Sequence, residues 1–69
     1  MIKATVKSFG QGFEVVGLHD IGNGNFEMQY LYSFGGKVYK TMNTAIRAIA
    51  RKGFEYVEVE DSKLFADWN

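Results

Sequence analysis

The chain contains no cysteine and no proline, one histidine and one tryptophan, and no net charge, with eight basic residues balanced by eight acidic ones. Each shortage excludes something. Without cysteine there is no disulfide framework and no thiolate-ligated zinc, and a reducing compartment is favoured. With a single histidine, His19, no multi-histidine metal site can form. Zero net charge argues against indiscriminate nucleic-acid binding, which needs a strongly basic surface. No apolar run approaches the roughly 20 residues of a membrane span. The first residues, Met1 to Lys7, alternate polar and apolar rather than forming a secretory core. These features lead to the expectation of a cytoplasmic protein with no membrane association.

Length sets the next bound. At 69 residues the chain forms one domain at most. A domain of this size hides only about 60% of the surface its unfolded chain exposes, so its core is thin and a deep enclosed pocket is not expected. The charge is also polarised. Residues 1–53 carry seven basic and three acidic side chains, whereas residues 54–69 carry one basic and five acidic. Aromatics are plentiful, at six Phe, four Tyr and one Trp. A thin core has difficulty hiding all of them, and a leftover ring marks an interface.

Glycines punctuate the chain. Residues 2–9 alternate as Ile2, Ala4 and Val6 against Lys3, Thr5 and Lys7, the pattern of a half-buried strand. Gly10-Gln11-Gly12 reads as a turn, and residues 13–20 as a second strand. Gly22-Asn23-Gly24-Asn25 is a hairpin signal, because Gly and Asn accept the positive φ of tight turns. Residues 26–34 place Phe26, Met28, Tyr30, Tyr32 and Phe34 on one face of a third strand. Gly35-Gly36 then fits a two-residue loop before a short return strand at 37–40.

The period changes after Lys40. Met42, Ala45, Ile46, Ile49 and Ala50 form the stripe of an amphipathic helix. Thr41 or Asn43 can cap its start. Arg51 and Lys52 suit its last turn, and Gly53 its end. Residues 54–60 alternate as a final strand. Leu64, Phe65 and Trp68 in the tail have the spacing of one helical turn, with Asp61 as its cap. The expected fold is therefore α+β: a two-layer sandwich of an antiparallel sheet of about five strands, in the order β-β-β-β-α-β, with one helix packed on one face. Residues 1–61 form the domain and 62–69 a tail able to dock on it.

No catalytic constellation stands out. His19 and Asp20 are neighbours, but adjacent strand residues point to opposite faces, so the pair makes no dyad. Ser8, Ser33 and Ser62 lack a nucleophile context. Glu55, Glu58, Glu60 and Asp61 lack the spacing of a calcium loop. Gly22-Asn23-Gly24 and Gly35-Gly36-Lys37 precede strands rather than helices, unlike phosphate-binding loops. The expectation is a non-enzymatic protein without metal or cofactor.

Two binding readings remain. The first rests on a sheet that is apolar on both sides, with one helix to cover only one of them. The second side then needs the tail, a second copy of the chain or another protein. This favours a protein-binding module, an inhibitor or adaptor docking through Tyr56, Glu58, Glu60, Phe65 and Trp68, since aromatics dominate binding hot spots. Small cysteine-free accessory proteins of phages and mobile elements often work in this way. The alternative reading is nucleic-acid binding, through Lys37, Lys40, Arg47, Arg51 and Lys52 together with the strand aromatics.

Overall fold

The computed structural model describes residues 1–66. Two hairpins begin the chain. Strand β1 (Lys3–Phe9) pairs antiparallel with the long β2 (Gly12–Gly22), and β2 pairs antiparallel with β3 (Asn25–Gln29). The second turn forms because Asn23 and Gly24 both take positive φ, 57° and 75°, which matches the twist of the flanking strands. Helix α1 (Met42–Arg51) follows, then the two-residue strands β4 (Glu55–Tyr56) and β5 (Leu64–Phe65).

The result is an α+β fold with one helix and a five-stranded sheet ordered β4-β1-β2-β3-β5. The sheet is mixed, which corrects the antiparallel expectation. β4 runs parallel to β1, and β5 runs parallel to β3. The chain order is β-β-β-α-β-β, not β-β-β-β-α-β. Connectivity supplies the reason. A helix lies between β3 and β4, so the chain returns to the end where β1 began and enters alongside it; parallel neighbours require such a crossover.

Three other expectations are corrected. The strand at 37–40 is absent; only Tyr39 bridges to Phe13. The strand foreseen over 26–34 ends at Gln29, and Tyr32–Phe34 form a 3₁₀ turn closed by Gly35 in the left-handed region, so Gly35-Gly36 is not a hairpin loop. In the tail, Asp61–Lys63 make a 3₁₀ turn and Leu64–Phe65 join the sheet. Trp68 lies outside the described residues.

Helix α1 begins where Thr41 Oγ1 accepts the Thr44 N–H at 3.2 Å. It ends at Gly53, whose φ of 84° suits a residue without Cβ. Ala45, Ala48 and Ile49 form its buried stripe, whereas Met42 and Ala50 are exposed. That stripe packs on Ala4 and Val6 of β1 and Val15 of β2, with Phe34 and Tyr39 completing the core. Small alanines on both layers let helix and sheet approach closely.

The opposite face of the sheet is covered by the chain itself. β4 leaves the sheet beside Ala4, and β5 enters beside Phe26, with three strands between the two. The span is about 19 Å at ~4.8 Å per strand, within reach of residues 57–63, which run to the 3₁₀ turn at Asp61–Lys63. The diagonal between those points passes over Thr5, Val16, Leu18 and Met28. All four are buried, and all lie on the face away from the helix, as the register pairs Thr5–Val16 and Leu18–Met28 require. Val57 and Val59 of the crossing segment are half-buried in turn. The helix is thus not the only cover, since the crossing segment shields this strip of the second face.

Candidate functional site: two grooves flanking one loop

The candidate surface is built by residues 30–38, which leave the sheet and return to it. Their departure begins at Gly17. A Cβ there would stand 2.9 Å from Leu31 Cδ2, so the missing side chain makes the room that Leu31 fills. Leu31 turns inward and the 3₁₀ turn follows. Phe34 then drops into the core, 5.6 Å from the Phe54 ring. Tyr39 ends the excursion by exchanging two backbone hydrogen bonds with Phe13, at 2.8 and 2.7 Å. This anchored loop raises Tyr30 and Tyr32 to the surface, where their rings meet edge to face at 4.9 Å. The expected single aromatic face is thereby broken up: Met28 and Phe34 are buried, Phe26 is half-buried, and Tyr30 and Tyr32 are exposed.

Between this loop and α1 lies a groove of about 520 Å³. Phe34, Tyr39 and Ala48 contribute apolar surface, Ser33 and Thr44 offer hydroxyls, and Lys37, Arg47, Arg51 and Lys52 supply four positive charges. The helix period explains the grouping, since Arg47 and Ala48 lie three and four residues after Thr44, and Arg51 lies four and three residues after them, all on one face. Two of the lysines are held over rings: Lys37 Nζ lies 5.1 Å from the Tyr39 centroid and Lys52 Nζ 5.5 Å from that of Phe34. Such contacts position an ammonium while leaving its donors free. The lining includes no carboxylate. Among the described residues the ion pair is Lys7 with Glu14, at 3.8 Å, on the far face of the sheet.

On the other side of the loop is a second groove of about 410 Å³, bordered by Phe9, Tyr30, Leu31 and the β2 residues Glu14, Val15 and Val16. Phe34 and Lys37 line both grooves. Nothing in the sequence marks this second site, because it arises where β3 stops short of its longer neighbour.

Of the basic residues singled out from the sequence, the fold gathers Lys37, Arg47, Arg51 and Lys52 into one groove; Lys40 is exposed outside its lining. The other set is divided. Tyr56 lies on β4 and Phe65 on β5, at opposite edges of the sheet, while Glu58 and Glu60 are exposed on the crossing between them. His19 is exposed on β2 opposite Glu27, and no hydrogen bond or ion pair joins them. Among the described residues no three of His, Asp or Glu gather as metal ligands, and no helix is long and apolar enough to cross a membrane. Comparison with known proteins finds no matching family model, no matching protein sequence and no matching solved structure.

Proposed function

We propose that this protein is a non-enzymatic nucleic-acid-binding module that holds backbone phosphates in the groove between α1 and the 30–38 loop. One observation carries the reading. Lys37, Arg47, Arg51 and Lys52 converge on a single groove with no carboxylate in its lining, although the chain as a whole is neutral. Clustered like charges repel one another, and an anionic ligand relieves that repulsion. A polyanion with regularly spaced charges suits four cations spread along a groove better than a single small anion does. The exposed Tyr30 and Tyr32 beside the groove supply stacking surfaces of the kind used by single-strand binders.

Protein docking by an inhibitor or adaptor through Tyr56, Glu58, Glu60, Phe65 and Trp68 has less support. About 19 Å of sheet separates Tyr56 from Phe65, and the crossing segment already covers the apolar strip that had called for a partner.

Fluorescence anisotropy with labelled single- and double-stranded DNA and RNA, over a range of salt, tests the proposal. Binding should weaken steeply as salt rises, with a log–log slope of about −2 to −3 for three or four phosphate contacts on a single strand. Absence of binding to all four probes at low salt would sink the reading.

A further inference from the structure

The apolar groove contains an unused piece of β-sheet. Along β2, alternate residues direct their backbone N–H and C=O to the same side. Phe13 gives both groups to Tyr39, and Gly17 stands opposite Gln29. Val15, midway between them, must face the same way, yet it has no register partner in β3, and its N–H and C=O take part in none of the loop or bridge hydrogen bonds among the described residues. Backbone N–H and C=O groups are rarely left without partners, so this edge offers a ligand one donor and one acceptor. Val15 lines the groove, and the exposed rings of Phe9 and Tyr30 stand at its rim.

Resting on the nucleic-acid reading above, we infer that this groove seats one unstacked base of a single-stranded nucleic acid, its edge hydrogen-bonded to the Val15 N–H and C=O. The size of the opening selects the occupant. Existing pairs at Phe13 and Gly17 close the notch at both ends, about 13 Å apart. An added peptide strand needs a run of free edge, and here one residue is free. A base edge presents one donor next to one acceptor, which matches a single residue's N–H and C=O. Tyr30 and Phe9 provide the stacking faces. Charge fixes the orientation: Lys37, shared by both grooves, draws the phosphate towards the basic side, whereas Glu14 at the other end is already paired with Lys7 and offers no attraction.

The test compares a labelled oligodeoxyadenylate of about ten nucleotides, within the usual site sizes, with an abasic oligomer of equal length and charge. The abasic strand should bind about tenfold more weakly or worse. Tyr30→Ala should weaken the adenylate by a similar factor, leave the abasic affinity unchanged and keep the salt slope. Phe9→Ala serves as a second variant should Tyr30→Ala fail to fold. In the wild-type protein, the Val15 amide resonance should shift on saturation with the adenylate and not with the abasic strand. Equal affinity for both strands overturns the base seat while the phosphate groove stands; binding to neither overturns both. A Val15 shift that follows protein concentration alone assigns the groove to a second copy of the chain and also overturns the inference.

Discussion

Phe13 and Tyr39 exchange both of their backbone hydrogen bonds, at 2.8 and 2.7 Å, and this bridge is where the loop that builds both grooves is fastened back to the sheet. The neighbouring Gly12 makes the fastening possible. A Cβ at Gly12 would lie 2.5 Å from Val38 Cγ1 and 2.7 Å from the Tyr39 carbonyl oxygen. The side chain could move aside, but the backbone oxygen belongs to the bridge. Gly12→Ala should therefore lower stability by about 1–3 kcal/mol, in the range of an overpacked contact. It should also weaken nucleic-acid binding, because Lys37 and Tyr39 shift with the loop. Urea denaturation gives the first quantity. A variant as stable as wild type would show that the loop shifts to admit the Cβ without cost.

The face of the sheet away from the helix offers a second test. Leu18 and Met28 are cross-strand partners there, at 7% and 8% exposure. If the crossing segment seals this face, Leu18→Ala and Met28→Ala should each cost about 2–5 kcal/mol, as buried large-to-small changes do. A wet docking surface would instead give changes within about 0.5 kcal/mol. A 69-residue domain holds only about 3–10 kcal/mol in total, so either variant should be visibly unfolded well below the wild-type melting temperature.

Helix α1 carries two of the groove's four cations, Arg47 and Arg51, and Lys52 caps its end, so its first turn matters to binding. Thr41 accepts the Thr44 N–H, and its hydroxyl lies 2.8 Å from that of Thr44. Thr41→Ala should cost about 1 kcal/mol, and Thr41→Asn should restore most of it, since Asn caps equally well. Chemical denaturation of the pair checks this. Equal losses in both variants would mean that the hydroxyl acts by packing rather than as a cap.

The features legible in the sequence are those set by near neighbours. The Thr41 cap, the Gly53 terminator and the Asn23-Gly24 turn each depend on a few consecutive residues, and each stands where the local chemistry places it. The alternation from Phe26 to Phe34 is just as regular, yet the strand stops at Gln29. Its end is decided across the sheet, where Gly17 leaves space for Leu31. β4 and β5 are two residues long, too short for any period to reveal them. They exist through distant backbone bonds such as Val57 N–H to Ala4 C=O. The same division holds at the site. Arg47 and Arg51 share a helix that Lys52 caps, and all three could be grouped from spacing, whereas the Val15 notch exists only because two strands of unequal length lie side by side.

The basic groove yields the sharpest prediction about binding. Arg47 and Arg51 are one helical turn apart on its wall, and each phosphate contact to a single strand contributes about 0.7 to the salt slope. Arg47→Ala combined with Arg51→Ala should make the slope shallower by about 1.4 and weaken binding most at low salt. Both side chains are exposed, so the melting temperature should hold. Lys40→Ala removes one charge outside the lining and is the control. A bound strand confined to the groove should leave the Lys40 variant with the wild-type slope. If Lys40→Ala flattens the slope as much per charge as the double variant does, the protein attracts anions as a diffuse positive field, and the groove has no special role in holding phosphate.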